Sequence, residues 1–326
     1  GARRLASRPP GADMNVWNAL ESFPTGREPI VATIGNFDGV HLGHQAILKS
    51  VIADARARRA PSLLVTFDPH PLAVVSPSRR PKLLMTRRQK LDTLESAGLD
   101  GVLILPFDRE LAGLTGEEFF GAALAERIRF ASIHVGTNFR FGHARGGDLK
   151  LLESIGAARG FAVTGIAPVE VQGETVSSSA IRLAVEEGDV ERAAAMLGRP
   201  FAATGEVVRG AGRGRTLDYP TANLDVENEM IPRRGVYVTE TQAWSTRFPS
   251  VTNVGVRPTF GGTVVTIETH IVDFDDDLYG ERIEVRFLAR LRDEMKFDGP
   301  AALSDQIARD LAAATAFFSR LALQRR

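Results

Sequence analysis

The chain holds only six histidines, and two of them, His41 and His44, stand three residues apart in the run GNFDGVHLGHQ at residues 35–45. If a helix starts there, this spacing turns both rings toward the space above its N-terminus. Free backbone N–H groups and the helix dipole already favour a phosphate at such a place. Two imidazoles add donors where charge builds up during attack on phosphorus. Gly35, Gly39 and Gly43 let the backbone come close to a nucleotide. The competing reading is a Gly-rich turn with two incidental histidines, and the company of Asn36, Asp38 and three glycines weighs against it. A zinc site is the weaker idea, since no further ligand cluster accompanies the pair.

A second constellation occupies residues 204–224, TGEVVRGAGRGRTLDYPTANL. Gly210, Gly212 and Gly214 alternate with Ala211 and Arg213 between Arg209 and Arg215. A flexible basic loop after a strand can cradle phosphate, although solvated Gly-Arg turns look the same. It is neither a Walker A loop, since GxxxxGK[ST] is missing, nor a dinucleotide fingerprint, since no helix follows. Glu268 sits in the strand-like run TVVTIETHIV, where residue type alone favours an outward-facing, solvated carboxylate. Asp273, Asp275, Asp276 and Asp277 invite a calcium site. They lack the Gly and terminal Glu of an EF-hand loop, so a solvated hairpin turn accounts for them better.

The elements that must position these residues fall into two textures. From residue 29 to 171 short apolar runs alternate with amphipathic stretches. Strands are expected at 29–34, 63–67, 102–105, 133–136 and 161–166, with helices at 45–60, 89–97, 117–128 and 149–158. Such alternation predicts a parallel sheet covered on both faces, with the histidine run at a strand's carboxyl end. A helical stretch over 180–197 follows. After about residue 198 short alternating runs take over, as where Ile283, Val285 and Phe287 face one way and Glu284 and Arg286 the other. These predict a small antiparallel barrel or sandwich closed by one helix carrying Leu303, Ile307, Leu311 and Phe318 on one stripe. The expected division is an extension at 1–13 that is disordered, a first domain at 14–197 and a second at 198–326.

Composition narrows the chemistry. Forty Lys and Arg balance forty Asp and Glu, so the basic surplus of a nucleic-acid binder is missing. No cysteine is present, which removes disulfides, thiolate nucleophiles and Cys-based zinc sites together. No apolar run approaches the roughly 20 residues that span a bilayer. Arg3, Arg4 and Arg8 precede no apolar segment, so a secretory signal is not expected ahead of Met14. The expectation is a cytoplasmic protein bound to neither nucleic acid nor membrane, a monomer or transient homo-oligomer.

GNFDGVHLGH resembles the HxGH signature of nucleotidyltransferases. The fuller run is similar to the N-terminal module of prokaryotic bifunctional riboflavin kinase/FMN adenylyltransferases. FDPHP (67–71), LPFDRELAGLTGEEF (105–119), VGTNFRFGHARGGD (135–148) and SSSAIR (177–182) fit the same family, with Ser179 in a position usually Thr. PTAN (220–223), NVGVRPTF (253–260), ETHIVDF (268–274) and the run from Asp277 to Phe297 resemble its riboflavin kinase module. The resemblance implies a Rossmann-like nucleotidyltransferase domain followed by a six-stranded antiparallel barrel. It implies that His41 and His44 stabilise the transition state at the α-phosphate of ATP. Gly35, Asn36, Phe37 and Asp38 would shape the nucleotide pocket, and Ser178 and Arg182 would hold the outer phosphates. A solvated surface arginine is the plainer reading of Arg182. Asn138 and Phe139-Arg140-Phe141 would line the flavin side, although those aromatics could equally be core.

In the kinase half the resemblance implies that Gly210, Gly212, Gly214 and Arg215 cradle ATP. Thr221 and Asn223 would bind Mg²⁺ and phosphate, both being hard oxygen donors. Glu268 would take the proton from the riboflavin 5′-hydroxyl. One departure stands out: Asp218 occupies a place usually Gly, ahead of Tyr219-Pro220. The expected function is conversion of riboflavin to FMN and then to FAD, with ATP as co-substrate and Mg²⁺ as cofactor. The rivals are an adenylyltransferase with a weakened kinase half, a nucleotidyltransferase for another phosphate acceptor, and a flavin-binding regulatory protein that turns nothing over.

Overall fold

The computed structural model describes residues 13–24, 26, 28–125, 127–210, 219–259 and 262–324. The expected extension at 1–13 therefore lies almost wholly outside the described residues. The chain forms two compact units, residues 1–82 with 87–176, and 83–86 with 177–326.

The first unit is built on six strands: β1 (Asn15–Trp17), β2 (Ile30–Ile34), β3 (Ser62–Asp68), β4 (Gly101–Pro106), β5 (Phe130–Gly136) and β6 (Ala162–Ile166). They lie in the order β1-β4-β3-β2-β5-β6, and every pairing is parallel. All five residues of β2 are buried, as a strand covered on both faces requires. The chain winds outward from β2 to β3 and β4 on one side, and to β5 and β6 on the other. The carboxyl ends of β2 and β5 thus form a topological switch point, where open α/β sheets bind ligands. Helices α1 (Leu42–Arg58), α2 (Pro71–Val75), α3 (Arg87–Ser96), α4 (Arg109–Gly113), α5 (Gly116–Glu118) and α6 (Leu149–Arg159) complete the unit, with a small hairpin of β7 (Glu170–Val171) and β8 (Glu174–Thr175). Phe120, Phe130, Phe141 and Phe161 meet in one core cluster, with ring centroids 5.3–6.3 Å apart.

Two helices differ from their sequence patterns. In place of a helix at 117–128, α5 opens with a Thr115–Glu118 capping box and passes into a wider turn over Phe119–Leu124. There Ala125 N–H reaches back five residues to Phe120 O. The wider turn places Phe119 and Phe120 in the core, so packing overrides the α period. The 180–197 stretch is two helices, α7 (Ser178–Glu187) and α8 (Val190–Leu197). Gly188 ends α7 at φ 81°, and the Asp189 side chain caps α8. The edge strand β1, three residues long, is too short to leave a periodic signal in the sequence.

The second unit contains α7, α8 and a closed six-stranded antiparallel barrel. Its strands are β9 (Phe201–Val208), β10 (Ala222–Val226), β11 (Gly235–Ala243), β12 (Thr246–Thr259), β13 (Gly262–Ile271) and β14 (Arg282–Arg292), in the order β10-β13-β12-β11-β14-β9. Ile283, Val285 and Phe287 face inward as their alternation predicts. The other part of the interior is polar. Thr239, Thr241, Ser250, Thr252 and Thr269 are fully buried and bond to one another at 2.7–3.2 Å. Each buried hydroxyl is thereby satisfied. Helix α9 (Pro300–Gln324) packs Ala314, Phe317 and Phe318 against Val238 and Ala289, and its buried Asp310 takes a bidentate pair from Arg292.

Candidate active sites

The loop from β2 to α1 has a strained backbone. Phe37 has φ 50°, Gly39 φ 85° and Val40 φ 39°. A left-handed conformation costs a non-glycine residue about 1–3 kcal/mol, and a β-branched valine tolerates it least. Such strain persists only where the surroundings hold it, which makes this loop a candidate functional element.

The loop ends at His41, the N-cap of α1. His41 Nδ1 accepts the His44 backbone N–H at 3.4 Å. Neutral His41 therefore carries its proton on Nε2, as a donor. The two imidazoles stack with centroids 3.6 Å apart, and Phe37 stacks on the far face of His44 at 4.4 Å. Burial, then the neighbouring His41 and Lys90, hold the His44 pKa well below the usual 6.5. His44 is thus neutral at physiological pH. Its buried Nδ1 has no hydrogen-bond partner among the described residues. A buried N–H is rarely orphaned, so the proton belongs on Nε2 here too. With His41 Nδ1 accepting and His44 neutral, each ring can offer an Nε2–H to an oxyanion. Gly43 keeps the pair together, because a Cβ there would lie 3.2 Å from the His41 ring.

Beneath the loop, Lys90 on α3 donates to Asn36 O at 2.5 Å and to Thr66 Oγ1 at 2.8 Å. Thr66 Oγ1 lies 3.3 Å from the same carbonyl. Burial lowers the Lys90 pKa from 10.5 to about 8, while Asp38 and Asp68 oppose the fall. His70 Nδ1 accepts Leu72 N–H at 3.2 Å, and its Nε2 lies 3.2 Å from the Asn36 side-chain amide. With Nδ1 accepting, neutral His70 is protonated on Nε2, and the contact is a hydrogen bond when Asn36 turns its amide oxygen to it.

At the neighbouring strand end, Asn138 is exposed and its Oδ1 lies over Gly136, where a Cβ would come within 2.8 Å. The Phe139–Phe141 segment divides: Phe141 is core, and Phe139 stacks on it at 5.3 Å. Gly35, Asn36, Phe37, Asp38, His41 and His44 are thus gathered in one loop at the switch point. Phe37 and Asp38 are buried within it. Ser178 and Arg182 head α7, where Ser177 caps Ala180 N–H at 3.1 Å.

The barrel assembles its candidates by strand register. Asn223 on β10 and Asn253 on β12 both pair with Glu268 on β13. Ile267 and Thr269 are buried on either side of Glu268, so the Asn223–Glu268–Asn253 row lies on the outer face. Directly opposed side chains in such a ladder stand about 5 Å apart at Cβ. Asn223 lies hard against Gly210, where a Cβ would come within 2.3–2.5 Å of its amide atoms. The next residue back, Arg209, lies over the Tyr279 ring at 5.9 Å. His270 Nδ1 donates to Pro220 O at 2.8 Å, anchoring the residue before Thr221. Gly212, Gly214, Arg215 and Asp218 lie outside the described residues. The acidic residues Asp273, Asp275, Asp276 and Asp277 are exposed in a turn, with Asp277 accepting Tyr279 N–H at 2.9 Å. Among the described residues no group of three or more His, Asp or Glu could hold a metal.

The FAD synthetase family model matches residues 24–180, and the riboflavin kinase model matches residues 197–318. The bifunctional riboflavin kinase/FMN adenylyltransferase of Escherichia coli K12 is 39% identical over 293 residues, covering 90% of this chain and 94% of the relative. That of Pseudomonas fluorescens is 39% identical over 304 residues, covering 93% and 97%. The chain belongs to this bifunctional family. A member of the riboflavin kinase/FMN adenylyltransferase family uses ATP in both halves, and apart from Arg182 the candidate residues fall within matched segments. Among solved structures, the macrolide-efflux protein from Streptococcus pneumoniae shares the architecture. Its TM-score is 0.85 at 29% identity, covering 93% of this chain and 99% of that one. Among the described residues, no helix is long and apolar enough to cross a membrane.

Four residues at these family sites escaped the sequence reading: Lys90, His70, Asn253 and His270. His70, Asn253 and His270 lie inside the family-like runs FDPHP, NVGVRPTF and ETHIVDF, which was their one available signal. Lys90 had none, because a lysine on an amphipathic helix reads as solvated.

Proposed function

We propose that this enzyme phosphorylates riboflavin on the outer face of its barrel, and adenylylates the resulting FMN at the loop between β2 and α1. The observation that carries the reading is the pair of stacked imidazoles at the N-terminus of α1, over a strained loop at the sheet's switch point. Their Nε2–H groups would meet the α-phosphate as FMN attacks in line and pyrophosphate leaves. Ser178 and Arg182 would hold the outer phosphates, and Asn138 the flavin side. With both imidazoles acting as Nε2–H donors, direct transfer is favoured over a covalent intermediate.

In the barrel, Glu268 would accept the proton of the riboflavin 5′-hydroxyl, with Asn223 and Thr221 beside it. A Thr hydroxyl and an Asn carbonyl suit Mg²⁺, a hard cation that keeps several water and phosphate ligands. When bound, the ion would neutralise the β- and γ-phosphate oxygens. Gly210, Gly212, Gly214 and Arg215 would cradle the triphosphate. The functional boundary is taken between residues 197 and 198. A cytoplasmic setting suits an enzyme that consumes ATP and lacks cysteine.

Chromatography of the products from riboflavin, ATP and Mg²⁺ tests this. FAD supports both transfers. FMN alone means that only the barrel works, and no product at all returns the chain to a flavin-binding role.

A further inference from the structure

Lys90 belongs to none of the motifs that carry the family resemblance, yet its ammonium reaches the backbone of the candidate loop. Its ammonium meets Asn36 O and Thr66 Oγ1, and Thr66 Oγ1 stands beside that carbonyl in turn. The three polar atoms form a closed triangle joining α3, β3 and the residue that opens the strained segment. Immediately after Asn36 the backbone enters the left-handed region at Phe37, then at Gly39 and Val40, and it ends on His41. Nothing about packing demands an ammonium there, since Leu or Met would fill the space without the cost of desolvating a charge.

We propose that Lys90 is a positioning residue for adenylyl transfer: its ammonium pins the Asn36 carbonyl to β3 and thereby holds the strained loop in the shape that presents His41 and His44 to the nucleotide. This rests on the placement of that transfer at the loop. The charge has a second consequence. Lys90 is one of the groups that keep His44 neutral, as two stacked imidazoles acting as donors require. The titratable groups facing Lys90 come from each neighbouring element: the charged Asp38 from the loop, Asp68 from the end of β3 and Arg87 from its own helix, and the neutral His44 from α1. The two aspartates favour the ammonium, whereas burial and Arg87 disfavour it, leaving its pKa at about 8. The clamp therefore loosens just above neutrality, as the ammonium loses its proton.

The test compares Lys90→Met and Lys90→Arg in the full chain, following FAD formation from FMN and ATP across pH. Riboflavin phosphorylation and thermal unfolding in the same samples report folding. Lys90→Met should lower kcat/KM for ATP in adenylylation by about tenfold or more at pH 7, with phosphorylation changed by less than about twofold. In the wild type, kcat/KM, which reports the free enzyme, should fall along an alkaline limb near pH 8. Arginine keeps its charge, so Lys90→Arg should retain more activity than Lys90→Met and move that limb up by about one unit or more. A purely structural lysine would not move the limb. Lys90→Met within about twofold of wild type, or an unmoved limb in Lys90→Arg, overturns the proposal. If Lys90→Met fails to fold, the limb in Lys90→Arg decides alone. Replacing His41 and His44 with Asn separates the two ideas: if adenylylation survives that change, the placement of the site fails. If it does not, a negative Lys90 result concerns Lys90 alone.

Discussion

The two halves of this enzyme each act on ATP, and they position their candidate residues by opposite means. In the parallel sheet one continuous loop carries the site. Its shape is unfavourable for the chain itself, with Phe37 and Val40 both at positive φ, and it is held from below by Lys90 and Thr66. In the barrel the candidates come from separate strands in ordinary extended conformation. Asn223, Glu268 and Asn253 meet because an antiparallel ladder brings every second residue to the same face. A loop site can wrap its backbone N–H groups around a phosphate, at the cost of strain. A ladder site places side chains with little strain but depends on register, and here the buried hydroxyls of Thr239, Thr252 and Thr269 link neighbouring strands. The loop site should therefore fail when its support is removed, and the ladder site when a neighbour intrudes.

The strongest way to break this comparison is to disable one site and watch the other. Replacing His41 and His44 with Asn should reduce FAD formation from FMN by about 10² to 10³-fold or more, the usual cost of losing a preorganised oxyanion donor. Riboflavin phosphorylation should remain near wild type, and equal loss of both activities would mean a shared site or misfolding. The mirror variant, Glu268→Gln, keeps size and hydrogen bonding but removes the base. Riboflavin phosphorylation should drop by about 10²-fold while adenylylation persists, both read by chromatography of the flavins. Unchanged phosphorylation would return Glu268 to the role of a solvated strand residue.

Two smaller effects sharpen the contrast. Gly210→Ala would drive a methyl group into Asn223, whose amide atoms lie within 2.3–2.5 Å of the new Cβ. The ATP KM of the kinase step should rise by about tenfold, with adenylylation untouched, since one displaced ligand weakens binding by roughly 1–2 kcal/mol. An unaltered KM would show that Asn223 does not contact the nucleotide. The smallest effect is expected at Asp218, which lies outside the described residues. A carboxylate near the triphosphate repels it, so Asp218→Gly should lower the ATP KM by a few fold and flatten the Mg²⁺ dependence. Abolished phosphorylation would instead make Asp218 a metal ligand.

How much of each site could be seen in advance differs in the same way as the sites themselves. His41, His44 and the residues from Gly35 to Asp38 are neighbours along the chain, so their meeting at a helix N-terminus followed from spacing. The barrel site joins residues about 45 apart in sequence, such as Asn223 and Glu268, and only the family resemblance brought them together. Asn253, the third member of that row, stayed hidden because register is not a local property. The helix expected at 117–128 was misread for a related reason. Its apolar residues satisfy an α period, but the core takes Phe119 and Phe120 together, which the wider turn allows.

By itself the sequence determined the two textures, a parallel sheet and then an antiparallel barrel or sandwich, because side-chain period is a local consequence of backbone geometry. It also determined that the histidine pair stands where a turn leads into a helix, because such a turn is written in consecutive residues. The tertiary structure alone decided what lies beneath that loop. Lys90 stands 54 residues from Asn36, on a helix whose pattern reads as solvated. Only the folded sheet brings its ammonium under the loop, where burial and the neighbouring carboxylates give it a charge that ordinary pH can remove.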